Sequence, residues 1–216
     1  MNDLVITRRR KKYKFAKFNE LANCFQFDEW IRDGKIDSGE KVIVEIGAGS
    51  ALFLVELAKL HPKDIFIAVD IKSDRLYRGA KRATEEKIDN IIFVRSDIWH
   101  ITELFAKNSI DEIWLTFSDP YPRKSDAKHR LTHSRFLEMY KKILKKRGIL
   151  YFKTDSQKLF DWSLQQFEQN SWDVINISRD LHNSQLPNEY KIMTTYEEKF
   201  THEGKPIYFA EFEITQ

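Results

Sequence analysis

The sequence contains little cysteine and no long apolar run. Its 216 residues include one cysteine, Cys24, which excludes an intramolecular disulfide and a cysteine-rich zinc site. Because Cys24 lies among aromatic residues, we expect a buried thiol rather than a nucleophile. No apolar stretch reaches the roughly 18 residues that predict a membrane-spanning helix. The histidines lack the spacing of metal ligands, so no metal is predicted.

The N-terminal sequence is polar and basic, without the apolar segment of a secretory signal. Together with the scarcity of cysteine, this predicts a cytoplasmic protein that does not associate with a membrane. A chain of this length buries enough surface to fold without disulfides. We expect a basic, partly flexible extension over residues 1–38 and one folded domain over residues 39–216.

The net charge is only +3, but the cationic residues are clustered. Such clusters are typical of a surface that binds a polyanion, because each phosphate contact releases counterions. The clusters lie at residues 8–12, 123–124, 128–130 and 141–147. Residues 141–147 are better explained as the cationic end of a helix. For residues 8–12, phosphate binding and a solvated tail both remain open.

Apolar runs alternate with amphipathic segments along most of the chain. Strands are predicted at 42–46, 65–69, 91–95, 110–117 and 149–153, and helices at 51–60, 73–87, 99–107, 132–146 and 156–170. Two late strands, 172–179 and 207–215, predict a C-terminal antiparallel hairpin. The pattern predicts an α/β fold with a Rossmann-like, seven-stranded, mostly parallel sheet and helices on both faces. This arrangement is typical of S-adenosylmethionine-dependent methyltransferases.

A glycine-rich turn follows the first of these strands. Gly47 and Gly49 allow the backbone to turn sharply and to approach a ligand closely. Asp70 ends the next strand, where a carboxylate can accept hydrogen bonds from both hydroxyl groups of a ribose. The pattern predicts a nucleotide-like cofactor site, and a structural turn without a ligand is the alternative.

An acidic residue lies at or shortly after the end of each of the five predicted parallel strands. They are Glu45, Asp70, Asp97, Asp119 and Asp155. Because ligands bind beyond the carboxyl ends of parallel strands, the whole set predicts a site. Asp97 and Asp155 could instead cap helices.

The chemistry of the cofactor follows from the turn and from these acids. Leu52 occupies the position where a pyrophosphate binder usually has glycine or alanine, which argues against a dinucleotide. S-adenosylmethionine has no phosphate, and its sulfonium and ammonium groups are attracted to acidic residues. Asp97 can accept a hydrogen bond from the adenine amine while Ile98 covers the ring.

The fourth strand ends in a loop that contains Asp119-Pro-Tyr-Pro122. The two prolines stiffen the backbone, and they are expected to fix Asp119 and Tyr121 at the mouth of the site. Methyl transfer depends on such positioning, because it is an in-line displacement. The basic residues that follow could hold a polyanion that presents a base to the methyl group.

Four motifs in order resemble those of the bacterial tRNA (guanine-N7-)-methyltransferases. The resemblance extends from about residue 40 to the C-terminus. The motifs are Val44-Glu-Ile-Gly-Ala-Gly49, the segment from Phe117 to Leu131, Phe152-Lys-Thr-Asp155, and Thr194-Thr-Tyr-Glu-Glu-Lys-Phe200. The fourth motif is the most specific, because nothing in a general methyltransferase requires it.

The resemblance implies methyl transfer from S-adenosylmethionine to N7 of a guanine in the variable loop of tRNA. It also implies that residues 39–216 are the methyltransferase domain, that Asp119 is the catalytic acid and that tRNA is the partner. No obligate protein partner is evident. The cofactor-binding positions, from the residues and the resemblance together, are Glu45, Gly47, Gly49, Asp70, Asp97, Ile98 and Asp119. The substrate and RNA positions are Arg123, Lys124, Ser125, Lys128, His129, Arg130, Asp155, Thr194, Thr195, Tyr196 and Glu197.

The chain departs from the family pattern at several of these positions. Asp70 replaces a glutamate, Tyr121 a tryptophan and Arg123 a lysine. Ala51 stands where glycine is common. Residues 125–127 replace a more basic stretch, which weakens the expected RNA contact more than the chemistry.

Other readings remain open from the sequence. A methyltransferase that acts on another RNA base or on an exocyclic amine is the nearest alternative. A non-catalytic RNA-binding protein with the same fold is another. A nicotinamide dehydrogenase is disfavoured by the glycine pattern. Glu197 could simply pair with Lys199 or Arg130 instead of binding substrate.

Overall fold

A computed structural model describes residues 13–34, 36, 39–193, 197, 201 and 204–215. The chain divides between Leu104 and Phe105 into two compact units.

The first unit contains a parallel four-stranded arrangement in the order β1-β4-β3-β2. Its strands are β1 (Cys24–Gln26), β2 (Val42–Ile46), β3 (Ile65–Asp70) and β4 (Ile91–Arg95). Its helices include α1 (Phe27–Asp33), α2 (Leu52–Leu60), α3 (Ser73–Glu85), a 3₁₀-helix (Ile98–His100) and α4 (Ile101–Leu104), and residues 13–18 are also helical. Every residue of β2 is buried, as expected for a strand in a parallel sheet that is covered on both faces.

Strand β1 was not predicted, and it lies inside the predicted N-terminal extension. It pairs in parallel with β4, so that Cys24 lies opposite Phe93. The following helix places Trp30 in the core, where its indole N–H donates to the Leu104 carbonyl at 2.9 Å. Cys24 is buried, and this burial raises the pKa of its thiol, which confirms the prediction of a buried cysteine. Three residues are too few to show a strand period in the sequence.

The second unit contains the strand order β5-β6-β8-β7. Its strands are β5 (Ile110–Thr116), β6 (Leu144–Thr154), β7 (Trp172–Ser178) and β8 (Tyr208–Ile214). Its helices are a 3₁₀-helix (Lys124–His129), α5 (Ser134–Ile143), α6 (Gln157–Gln169) and a second 3₁₀-helix (Asn188–Lys191). Strands β5 and β6 are parallel, whereas β8 runs antiparallel to both β6 and β7. The predicted C-terminal antiparallel pair is therefore confirmed, with β8 between its partner and β6.

All seven predicted strands are present, and β1 is an eighth among the described residues. Two predicted helices were too long. The helix predicted over 132–146 ends at Ile143, because Leu144 adopts an extended backbone and begins β6. The helix predicted over 99–107 is a 3₁₀ turn followed by the short α4. No helix in the described part of the chain is long and apolar enough to cross a membrane.

Gly79 allows helix α3 to pack closely against the glycine-rich turn. A methyl group added at Gly79 would overlap the Ser50 carbonyl oxygen and would lie 3.1 Å from the Phe93 ring. Glycine in the middle of a helix costs roughly 1 kcal/mol relative to alanine, so the close approach explains its presence.

We predict that Gly79→Ala lowers the free energy of unfolding by about 1–3 kcal/mol, because α3 must move away from Ser50. Urea unfolding measures this change. Arg78→Ala, at an exposed position of the same helix, is the matched control and should change it by less than about 0.5 kcal/mol. An equally stable Gly79→Ala variant would contradict the packing argument.

Candidate functional site

The glycine-rich turn of the first unit lies between β2 and α2. Gly47 and Gly49 have positive φ angles of 72° and 55°. The backbone N–H groups of Gly47 and Ala48 both donate to the Val69 carbonyl, at 2.8 and 3.1 Å. A side chain added at Gly49 would meet nothing within 4 Å. The turn is therefore fixed to β3 and leaves open space beside Gly49, as the approach of a cofactor requires.

Asp70 connects the turn to the end of β3. Its Oδ2 accepts a hydrogen bond from the Gly49 N–H and its Oδ1 accepts one from the Lys72 N–H, both at 2.8 Å. Each carboxylate oxygen can accept a second hydrogen bond, so both can still receive a ribose hydroxyl. This structural role of Asp70 was not predicted from the sequence. It is compatible with the predicted role in cofactor binding.

The parallel register brings the predicted acidic residues of the first unit to one edge. Ile46 lies opposite Val69, and Asp70 lies opposite Arg95, so β2, β3 and β4 end side by side. Glu45 is buried at 1% exposure near the end of β2. A buried carboxylate at this edge suits a positively charged ligand.

Asp97 caps the 3₁₀-helix that follows β4, as the alternative interpretation suggested. Its Oδ1 accepts a hydrogen bond from the Trp99 N–H at 3.1 Å. Ile98 directly follows and is half-buried. The cap fixes the position of both residues, and their role toward adenine stays a prediction.

Ala51 departs from the family pattern, in which glycine is common at this position. Its backbone conformation explains that preference. It has a φ of 53° and lies just before α2, where the backbone is left-handed. For a residue with a side chain, this conformation costs about 1–2 kcal/mol. The chain therefore tolerates strain directly beside the predicted cofactor turn.

The Asp119 loop of the second unit also has a strained backbone. Phe117 and Tyr121 have positive φ angles of 49° and 40°, which are uncommon for bulky residues. Such strain persists only where the surroundings fix it, and it is concentrated at functional sites. The Phe117 N–H donates to the Lys153 carbonyl at 2.9 Å, which fixes the start of the loop to β6.

Arg130 fixes the other end of the strained loop. Its guanidinium donates to the Pro120 carbonyl at 3.0 Å and to the Tyr121 carbonyl at 2.9 Å. The same group lies 4.3 Å from the centre of the Trp162 ring, and burial lowers the pKa of Arg130. The sequence predicted an RNA contact for Arg130, and the contacts given by the structure are to the protein itself.

Asp119 and Tyr121 are close in this loop. Burial and the negative charge of Asp119 raise the pKa of the Tyr121 hydroxyl. Asp119 itself is exposed, and the Tyr121 ring lies 5.6 Å from the His129 ring. An exposed carboxylate next to a half-buried aromatic ring can receive the hydrogen-bonding edge of a base while the ring contacts its face.

The predicted RNA-binding residues lie on and before the 3₁₀-helix Lys124–His129. Five of them are exposed, namely Arg123, Lys124, Ser125, Lys128 and His129. The Ser125 hydroxyl donates to Asp126 at 3.1 Å. The loop therefore presents cations to solvent in spite of its one acid.

Asp155 follows β6 directly and is half-buried. It does not cap α6, as the sequence had allowed. The cap is Ser156, whose hydroxyl accepts a hydrogen bond from the Leu159 N–H at 3.3 Å. Asp155 is therefore not needed as a helix cap, and its predicted role in substrate binding stays a prediction.

The last predicted motif is described only at Glu197. Thr194, Thr195, Tyr196 and Lys199 lie outside the described residues. Glu197 is fully buried and forms an ion pair with Lys153, with Nζ and Oε1 2.8 Å apart. An ion pair was the alternative interpretation of Glu197, but the partners considered there were Lys199 and Arg130. Nothing in the sequence assigned a role to Lys153 beyond its place in the third motif.

Comparison with known proteins identifies the family to which the chain belongs. A family model described as "Putative methyltransferase" matches residues 39–210. A tRNA (guanine-N(7)-)-methyltransferase from Brevibacillus brevis is 41% identical over 82% of both chains. The chain belongs to this methyltransferase family. A relative of the same name from Christiangramia forsetii is 39% identical over 89% of this chain and 87% of its own. One from Mycoplasmopsis pulmonis is 35% identical over 94% and 98%.

Solved structures confirm the methyltransferase fold. The 16S rRNA methyltransferase KamB matches with a TM-score of 0.61 at 11% identity, over 82% of this chain and 89% of its own. A 16S rRNA (adenine(1408)-N(1))-methyltransferase from Catenulisporales acidiphilia, solved with SAM, matches with a TM-score of 0.58 at 15% identity, over 88% and 91%. At such low identity, these matches show the fold alone.

We predict that Asp70→Asn weakens cofactor binding by about tenfold or more. An amide has one acceptor oxygen, so it cannot accept from Gly49, from Lys72 and from a ribose as the carboxylate can. Isothermal titration with S-adenosylmethionine measures this loss. Asp64→Asn, just before β3 in the same unit, is the matched control and should bind like the unchanged chain. Unchanged affinity in Asp70→Asn would contradict the assignment.

Proposed function

We propose that the protein transfers a methyl group from S-adenosylmethionine to N7 of a guanine in the variable loop of tRNA. Membership of the tRNA (guanine-N7-)-methyltransferase family carries this proposal. The open glycine turn in the first unit and the exposed cationic loop in the second support it. We also propose that the protein acts in the cytoplasm and needs no protein partner.

The residues of the first unit suit S-adenosylmethionine, which supplies an electrophilic methyl group on a positively charged sulfur. Asp70 accepts hydrogen bonds from the ribose hydroxyls with the acceptor positions that Gly49 and Lys72 leave unused. The negative charge of Glu45 attracts the cationic part of the cofactor. Asp97 and Ile98 receive the adenine. Gly47 and Gly49 keep side chains away from the turn.

The second unit provides the groups that position the base. Guanine N7 carries a lone pair and no proton, so its methylation needs no strong base. Asp119 accepts hydrogen bonds from the N1 and N2 protons of guanine, and Asp155 can provide a second acceptor. Because methylation makes the purine cationic, these bonds strengthen as the reaction proceeds. The fixed loop contributes because Asp119 is already in place before the substrate binds.

The exposed cations provide affinity for RNA. Arg123, Lys124 and Lys128 can each contact a phosphate, while recognition of the base supplies specificity. His129 and Ser125 add hydrogen-bonding groups on the same 3₁₀-helix. Residues 8–12 and 194–196, which lie outside the described residues, are proposed to add RNA and substrate contacts.

We predict that Asp119→Ala lowers the rate of methyl transfer to unmodified tRNA by about 100-fold or more, because it removes the carboxylate that meets the developing charge. Single-turnover transfer of a labelled methyl group measures this rate. Asp173→Ala, an exposed aspartate on β7 of the same unit, is the matched control. A rate close to that of the unchanged chain would refute the role of Asp119.

We predict that the double variant Lys124→Ala/Lys128→Ala weakens tRNA binding and lowers the slope of log affinity against log salt by about 2, one for each lost phosphate contact. Filter binding over a series of salt concentrations measures the slope. Lys107→Ala, which removes an exposed cation elsewhere in the second unit, should leave the slope unchanged. Equal slopes for the double variant and the unchanged chain would place the RNA elsewhere.

A further inference from the structure

Among the described residues of the second unit, one lysine and one glutamate are completely buried. The side chains of Lys153, in β6, and Glu197 both have 0% exposure. Removing two charges from water is unfavourable, and only excellent geometry offsets the lost hydration. A buried pair of this kind therefore implies that the exact positions of its two residues matter.

Lys153 binds a separate segment of the chain through its side chain. Its ammonium donates to the Tyr190 carbonyl at 2.9 Å and to the Ile192 carbonyl at 3.2 Å. It also donates to Glu197 Oε2 at 3.0 Å, with Oε1 2.8 Å away. An ammonium has three N–H groups, and these three residues can satisfy all of them. One side chain thus fixes Tyr190, Ile192 and Glu197 to β6.

The backbone of Lys153 binds the catalytic loop at the same time. Its carbonyl accepts the hydrogen bond from the Phe117 N–H at 2.9 Å, at the strained start of the Asp119 loop. Asp155 follows two residues later. Lys153 therefore connects the segment around Tyr190 with two residues proposed to bind guanine, Asp119 and Asp155.

Aromatic packing supports the same arrangement. Residues two apart in a strand lie on one face, so Tyr151 and Lys153 share a face of β6. The Tyr190 ring lies 5.2 Å from the Tyr151 ring and 5.1 Å from the Phe209 ring. The Tyr190 hydroxyl donates to the Tyr151 oxygen at 3.4 Å. Packing of the Tyr190 ring therefore holds the segment 188–192 against β6 and β8, in addition to the contacts of Lys153.

The environment of Glu197 is unsuited to direct recognition of a base. Both carboxylate oxygens lie within 3.0 Å of Lys153, and the His182 Nε2 lies 3.2 Å from Oε1. To reach a guanine, Glu197 would have to leave Lys153 and expose two charges. The exposed Asp119 needs no such rearrangement.

We propose that Lys153 and Glu197 are a positioning pair: Glu197 holds the Lys153 ammonium, and Lys153 holds the segment 188–192 and the Asp119 loop in place for tRNA binding. Glu197 then acts through Lys153 and does not touch the guanine. This inference rests on the proposed function for its activity readout, and on the described contacts for the rest.

The test uses the full-length chain with the single variants Lys153→Met and Glu197→Gln and the double variant Lys153→Met/Glu197→Met. A buried ion pair can often be replaced by apolar residues without loss, whereas removal of one partner is strongly destabilising. We expect each single variant to lower Tm and to raise the KM for tRNA at least tenfold. We expect the double variant to recover most of the Tm and most of the KM.

Two controls distinguish the specific effect of losing this ion pair from a general destabilisation of the protein. Lys145→Met removes another lysine of β6, whose ammonium donates to Asp111 at 2.7 Å instead, and should leave the KM for tRNA within about twofold. Affinity for S-adenosylmethionine, measured by calorimetry, should change much less than the KM for tRNA, because all the proposed cofactor residues except Asp119 lie in the first unit.

Two results would overturn the proposal. If the double variant is as stable as the unchanged chain but methylates tRNA no better than Glu197→Gln, Glu197 contacts the substrate directly. If the double variant is no more stable than Lys153→Met, the two residues are not coupled. The Tm comparison needs no activity, so it still tests the pair if the unchanged chain fails to methylate tRNA, a result that would refute the proposed function instead.

Discussion

The hydrogen bonds of Asp70 are the constraint on which the cofactor half of the molecule depends. One carboxylate holds the Gly49 N–H and the Lys72 N–H, and so joins the turn after β2 to the start of α3. The turn contains two glycines with positive φ angles and is followed by Ala51 in the same region. Without such a fixed acceptor, a backbone of this kind would have many alternative conformations. The position of the turn, and hence of the proposed cofactor site, follows from this carboxylate.

The second unit fixes its loop in a comparable way, with one guanidinium group and one backbone carbonyl. Arg130 donates to the carbonyls of Pro120 and Tyr121, and the Lys153 carbonyl accepts from Phe117. The loop between these contacts has two bulky residues at positive φ, so its conformation depends on them. In both units, a charged residue that first looks like a ligand-binding group also holds the backbone in place. Loss of such a residue would therefore affect binding and structure together, which is why matched controls are needed.

The sequence predicted the fold and the first unit well, for physical reasons. Apolar runs such as Val42–Ile46 are continuous and buried at every residue, so their strand character is visible locally. The position of Asp70 at the end of β3 could be predicted because an apolar run ends there, whereas its role toward the cofactor stays a proposal. Strand β1 was missed because its pairing with β4 is a long-range contact with no local period. The helix ends at Ile143 and Leu104 also have long-range contacts, since their carbonyls accept hydrogen bonds from the Ser109 N–H and from the Trp30 indole.

The sequence was less informative about the inward contacts of charged residues. Arg130 and Glu197 match positions of a family motif, but no pattern shows that they bind the Tyr121 loop and Lys153. Local sequence cannot show which partner an ionic group meets, since that partner lies 9 residues away for Arg130 and 44 residues away for Glu197, with no repeating pattern between them.

The central claim is that the methyl group reaches guanine N7, and it is tested most directly by locating the methyl group itself. The purified chain is incubated with unmodified tRNA and labelled S-adenosylmethionine, and the product is digested and analysed by mass spectrometry. The account predicts label only in N7-methylguanosine from the variable loop. Label in another base, on an exocyclic amine, or in no nucleoside at all would contradict it.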